Sequence, residues 1–202
     1  GVNDYVSVAD NTDIELVRGF SISLWFLDLG AGNVVIIEKD GNNGFSIQRE
    51  TDNTLKINTG NAEQVATLGT YNDKVWHHCV FSLSSAGSVV YIDGSIENST
   101  TTVTASTFST GPLYFGSRAG TAPYKGSLDE VRFFNQALTA DQVKALYTYN
   151  VVPQRGNLVA EYLFDEGTGT TATDTAGSNN GTISGAVYTS EVPFKPQVAT
   201  RE

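Results

Sequence analysis

A single cysteine, Cys79, excludes any disulfide within the chain. It lies in the apolar run CVFSL and is expected to be a buried thiol acting as a small hydrophobe, not a nucleophile. Long apolar runs are missing as well. The VVII at 34–37 is typical of what is present, far short of a membrane span, so membrane insertion is not expected. Basic side chains are few, with 12 Lys and Arg against 22 Asp and Glu for a net charge of −10. Such a surface repels phosphate backbones, which argues against nucleic acid as a partner. No repeat of 20–50 residues is found. Neither a signal peptide nor a G-x-S-x-G nucleophile elbow is visible, and the chain, beginning at Gly1, reads as a mature or excised piece.

What is present reads as short strands separated by turns. Only 17% of residues are charged, 40% are hydrophobic and 20 are glycine, a balance that suits a turn-rich β domain and not disorder. Alternating or β-branched apolar runs fall at 5–8, 20–27, 33–38, 45–48, 54–58, 64–68, 75–83, 89–92, 95–98, 112–116 and 128–135. Within 20–27, Phe20, Ile22, Leu24 and Phe26 take one side and Trp25 the other. Asp93-Gly94 between two runs predicts a type I′ hairpin turn, which needs positive φ at both positions. Strands at this spacing argue for a sandwich or barrel, and 202 residues suit one large β domain.

Helical periodicity occurs once. Thr139 and Gln142 have capping-box spacing, and Val143, Leu146 and Tyr147 fall at i, i+3 and i+4. The pattern predicts one short helix at about 139–149. A lone helix among many strands commonly plugs an end or edge of a sandwich, and that position is expected here. Beyond it, 158–164 reads as a strand, 165–181 as a polar turn-rich segment and 182–188 as one or two short strands. Their apolar content is too small for a separate core, so 158–190 is expected to supply terminal strands to a single domain over 1–192, with 193–202 a frayed tail.

Five segments carry a resemblance: NDYVSVAD at 3–10, FSISLWF at 20–26, VWHHCVFSLSSAGSVVYIDGSIE at 75–97, GSLDEVRFFNQALTADQVKALY at 126–147 and LVAEYLFDEGTGTTATDTAGSNNGTISGA at 158–186. Together they resemble a laminin-G-like domain of the concanavalin A-like lectin/glucanase superfamily. In that family the fifth segment often precedes the NDYV-type strand. Here it is C-terminal, and it either completes this sandwich from the far end or begins a next copy. The resemblance implies an all-β, two-sheet antiparallel jelly-roll sandwich with a concave sheet face and ligand loops at its rim. It also implies a noncatalytic carbohydrate-binding or adhesion module of a secreted or cell-surface protein, with a polysaccharide or other glycan as partner. A protein-interaction or spacer domain is the alternative reading, and a glycan hydrolase or lyase with an unrecognised site a further one.

Glucanases resembling this chain place two carboxylates on one strand in an E-x-D-x-x-E-like pattern, so that acid and nucleophile flank one bond. That pattern is absent. Asp129-Glu130, Asp165-Glu166 and His77-His78 are adjacent pairs, which on a strand point to opposite faces. The resemblance points instead to a structural Ca2+ held by Asp129, with Asp165 or Glu166 as partners and carbonyls at 1–4 as further ligands. Calcium accepts such irregular oxygen sets. The plainer reading has Asp129 capping a turn or pairing with Arg132 or Lys125, and Asp174 closing an Asx-turn. Sugar sites combine a loop aromatic with polar side chains. Tyr124 and Arg118 in the 117–125 loop, Tyr71 and Asn72 in the turn before Val75, and Asp40, Asn42 and Asn43 in another connection are the candidates, each with an ordinary turn residue as the alternative. Trp25 and Trp76 match core positions of the family.

Overall fold

The structure is a computed structural model, and it describes residues 4–17, 19–39, 43–60, 62–101, 103 and 109–193. Its strands are β1 (Tyr5–Val8), β2 (Phe20–Asp28), β3 (Val34–Lys39), β4 (Phe45–Arg49), β5 (Leu55–Thr59), β6 (Ala62–Ala66), β7 (Trp76–Ser84), β8 (Gly87–Ile92), β9 (Ser95–Thr100), β10 (Leu113–Phe115), β11 (Gly126–Phe134), β12 (Leu158–Tyr162), β13 (Thr171–Ala172) and β14 (Gly181–Ser184). A single α-helix among the described residues, α1 (Ala140–Tyr149), follows β11. The strands form two sheets, β13-β14-β1-β10-β3-β4-β5-β6 and β12-β11-β2-β7-β8-β9. This is the jelly-roll sandwich expected. No helix among the described residues is long and apolar enough to cross a membrane.

Alternation builds the core. Ile22, Leu24 and Phe26 of β2, Cys79 and Phe81 of β7 and Phe133 of β11 face Ile47, Ile57 and Phe115 of the other sheet. Each large side chain so buried is worth about 1.5–3 kcal/mol. Cys79 is fully enclosed, and burial pushes its thiol up to about 12, so it is inert. The β8–β9 turn is as predicted, with Asp93 at φ 51° and Gly94 at φ 76°. Asp93 does more than turn the chain, because its Oδ1 accepts the His78 N–H at 2.9 Å.

The helix begins with the predicted capping box, Thr139 with Gln142. Its position differs from expectation: it plugs neither end nor edge. Val143 and Leu146 pack with Val80, Tyr91, Phe134, Leu138 and Leu158, which are drawn from the outer face of the six-stranded sheet and its margins. Tyr147 stacks on Trp25 at 5.6 Å. That face carries apolar residues on several strands, and the helix buries them.

The 158–184 segment is paired into both sheets. β12 runs antiparallel to β11, and β14 to β1, with β13 outside β14. Asp174 ties the segment together. Its Oδ1 accepts N–H groups of Glu161, Ala176 and Gly177, and its Oδ2 accepts the backbone and side-chain N–H of Asn179, all at 3.0–3.1 Å. The bond from Ala176 is the Asx-turn read from sequence, and four further donors converge on the same carboxylate.

Candidate functional site

Strand register sorts the connections between two ends. The pairs Leu27↔Trp76, Asp28↔Gly126, Val34↔Arg49 and Tyr5↔Ser184 bring the connections at 29–33, 67–75, 117–125 and 185–192 to one end. Buried Arg49 and Asp28 form an ion pair that joins the two sheets there. Tyr71, Asn72, Arg118, Tyr124, Asp129 and Asp165 therefore belong to this rim. The pair Lys39↔Phe45 sends the next connection, with Asn43, to the opposite end. Asp40 and Asn42 lie outside the described residues, as do residues 1–3 and 194–202.

The rim aromatics are packing residues. Tyr124 is only 9% exposed and belongs to the main core, so it is not an exposed loop aromatic, and what it shows borders the rim cavity. Burial pushes its phenol well up, Asp28 adds to this and Arg49 opposes it. Tyr71 packs partly buried against the core and edge-on to His77 at 5.1 Å. Burial and a hydrogen bond to Glu97 raise its phenol, while the same Glu97 carboxylate accepts the Leu68 and Gly69 N–H groups. The loop is thus braced from within, and Asn72 beside it is half-buried. His77 contacts Asp93 through Nδ1 at 2.8 Å and Asp73 through Nε2 at 3.2 Å. The Asp93 hydrogen bond is the main cause that raises its pKa. His78, on the opposite face as the alternation requires, is fully buried against Ser23, and burial lowers its pKa to about 3.

A cavity of about 360 Å³ opens at the rim, with Asp4, Tyr5, Tyr124, Asp129, Phe164 and Asp165 in its wall. Two of the three proposed calcium carboxylates therefore share one space. Asp129 Oδ1 also accepts the Glu130 N–H at 2.8 Å, where β11 bulges and Glu130 takes φ 48°. Glu166 is not part of that wall; its carboxylate accepts the Thr173 N–H at 2.6 Å. Burial raises its pKa, but hydrogen bonds from Thr173, its own backbone and Tyr188 outweigh this and lower it. Among the described residues no group of three or more His, Cys, Asp and Glu side chains is arranged to hold a metal ion. Asp129 and Asp165 both border the cavity, and Glu166 does not.

A second feature comes from residues that sequence reading did not single out. On the eight-stranded sheet, Val6, Leu113, Ile47 and Ile57 point inward, so their neighbours line the outer face. The register connects Thr182 to Ser7, Ser7 to Tyr114, Tyr114 to Glu38, Glu38 to Ser46 and Ser46 to Asn58. This is one continuous polar row across six strands. Tyr5 meets Tyr114 edge-on at 5.8 Å and fixes its ring. The 117–122 turn folds over the face, and Arg118 Nε donates to Glu38 at 2.7 Å. Gln48 and Asn58 both donate to Ser46 Oγ. Of the residues expected from sequence, only Arg118 joins this row. The signal for the others was the outward register of alternating strands.

The close carboxylates Glu130 and Glu161 are buried and bridged by Arg132 at 3.1 and 2.7 Å, with the helix C-cap residue Asn150 donating to Glu130. Burial raises the Glu161 pKa, but Arg132 and Thr175 lower it further, so it is held ionised.

Comparison with known proteins agrees with the architecture. A candidate carbohydrate-binding protein from Bacteroides ovatus superposes with a TM-score of 0.74 at 18% identity, over 91% of this chain and 56% of its own. The chain thus spans little more than half the length of that protein. The heptameric SAP-like pentraxin of Limulus polyphemus gives a TM-score of 0.55 at 15% identity, over 76% of this chain and 86% of the pentraxin. Domain 4 of AbnA, an extracellular GH43 arabinanase from Geobacillus stearothermophilus solved with arabinotriose, gives 0.54 at 22% identity, over 67% of this chain and 69% of that domain. These likenesses concern the fold. No curated protein matches the sequence. A laminin-G family model matches residues 1–144, and the chain belongs to the concanavalin A-like lectin/glucanases superfamily.

Proposed function

We propose that this chain is a noncatalytic carbohydrate-binding or adhesion module of a secreted or cell-surface protein, and that glycan lies along the outer face of the eight-stranded sheet. The observation that carries this reading is the row from Thr182 through Tyr114 and Glu38 to Asn58. A sugar presents C–H faces and hydroxyls. The Tyr114 ring matches the first, and the hydroxyl and amide groups of Thr182, Ser7 and Asn58 match the second. Rigid strands hold these groups, so little ordering entropy is lost on binding. Support comes also from the superposed proteins, one a candidate carbohydrate binder and one solved with arabinotriose. Affinity electrophoresis through gels containing different polysaccharides tests it. Retardation in at least one gel, lost in Tyr114→Ala, is expected; equal mobility in every gel refutes it.

A structural Ca2+ at the rim cavity belongs to the same proposal, held by Asp129 and Asp165. Such an ion would tie the 164–165 turn to the end of β11, and so the last segment to the sandwich. A protein partner is the second reading. It is favoured by Leu68 and Ile96, 76% and 61% exposed on neighbouring parts of the chain that Glu97 links.

A further inference from the structure

The eight-stranded sheet carries its cations in closed pairs, two of them facing inward, and this bears on which glycans its outer face accepts. Among the described residues, the cations on the strands of the eight-stranded sheet and on the 117–122 turn are Lys39, Arg49, Lys56 and Arg118. Each is paired with a carboxylate: Lys39 with Asp10 at 2.6 Å, Arg49 with Asp28, Lys56 with Glu63 at 3.3 Å, and Arg118 with Glu38 at 2.7 Å. The first two are buried. A sulfated or uronic glycan would have to take Arg118 or Lys56 from its partner, leaving Glu38 or Glu63 facing the incoming anion. It would also meet a chain of net charge −10. The groups left to bind are uncharged: Tyr114, Ser7, Asn58, Gln48 and Thr182, with Ser46 buried beneath Gln48 and Asn58 and holding both amides.

The row also has a direction and open ends. It crosses five strand-to-strand steps, about 24 Å at the usual spacing of neighbouring strands. That is several sugar rings in length. Thr182 at one end and Glu63 beyond the other are exposed, so neither end is walled. A site for a chain terminus needs a closed end, and this one has none.

Resting on the glycan-binding reading, we infer that the ligand is an internal stretch of a neutral, extended polysaccharide lying across the strands, with Tyr114 under its centre. Isothermal titration calorimetry of the full chain tests this, using neutral β-glucans, xylans and arabinans, their mono- to hexasaccharides, and polygalacturonate and heparin as polyanions, each at low and high salt. At least one neutral polymer is expected to bind. Its oligosaccharides should gain about tenfold in affinity from disaccharide to hexasaccharide, with little response to salt. Tyr114→Ala, checked for folding by circular dichroism, should lose about tenfold or more. Preference for a polyanion with affinity falling as salt rises overturns the inference while leaving glycan binding intact. So does full affinity at a mono- or disaccharide, which would show a chain-end site. Absence of heat with every glycan overturns the proposed function itself.

Discussion

Replacing Asp174 tests the physical account of how the last segment is held. In Asp174→Ala the backbone N–H groups of Glu161, Ala176, Gly177 and Asn179 and the Asn179 side chain all lose their acceptor. Ala176 and Gly177 are exposed and regain water. Glu161 and Asn179 are buried, and each stranded buried donor costs about 1–3 kcal/mol. With three such donors, the Glu161 and Asn179 N–H groups and the Asn179 side chain, the expected loss is about 3–9 kcal/mol, a large part of the roughly 5–15 kcal/mol that holds a typical domain. Asp174→Asn keeps one oxygen but turns an amide N–H toward either the Oδ1 or the Oδ2 donors, and should lose about half as much. The Tyr162 hydroxyl, which donates to the Asn179 carbonyl at 2.6 Å, should follow the loop and become solvent-accessible. Urea denaturation followed by tryptophan fluorescence measures the stabilities, and hydrogen exchange at 158–184 locates the change. A loss below about 1 kcal/mol in Asp174→Ala would refute the reasoning, because it would mean that these donors are hydrated in the folded chain.

Other consequences follow from the charged and buried groups. Arg132→Leu leaves Glu130 and Glu161 buried without their shared cation and should destabilise the fold by about 3–5 kcal/mol by chemical denaturation; a neutral effect would contradict the bridging role. His77 has a raised pKa, so its stabilising contribution is complete below the unfolded value near 6.5 and is lost as pH rises through the higher folded value. His77→Gln should remove that fall in stability across the window in a pH series of melts. His78 acts in the opposite sense: held neutral down to about 3, it makes stability fall as pH drops from about 6.5 toward 3, and His78→Asn should remove that slope. Calcium at about a hundred times its dissociation constant should add about 2.7 kcal/mol, seen as a melting temperature that a chelator lowers. Asp129→Asn and Asp165→Asn should abolish that shift and Glu166→Gln should keep it; an unchanged melting temperature in the parent chain counts against the site.

The fold was legible because it rests on local rules. Alternation of Phe20, Ile22, Leu24 and Phe26 set a two-faced strand, Asp93-Gly94 set a hairpin, and Thr139 with Gln142 set the start of the helix. The seat of the helix was not legible, because Val80, Tyr91 and Phe134 come from three strands and form one surface only after pairing. The orientation of the rim side chains was not legible for a related reason. Nothing in the 117–125 sequence shows that the Tyr124 ring turns inward onto the core while Arg118 turns out to Glu38. The polar row depends on register across six strands, and no local pattern joins Ser7 to Tyr114 or Ser46 to Asn58. Glu38 was the hardest to see, since it ends a β-branched run and β3 carries a register shift between Val35 and Ile37.

The central claim is that the sheet face, and not the rim loops, holds glycan. Titrating Tyr114→Ala and Asn72→Ala side by side with a bound neutral polysaccharide tests it most directly. Loss of about tenfold or more in affinity in Tyr114→Ala, with Asn72→Ala unchanged, is the predicted result. Full affinity in Tyr114→Ala together with loss in Asn72→Ala would contradict the account and return the site to the loops.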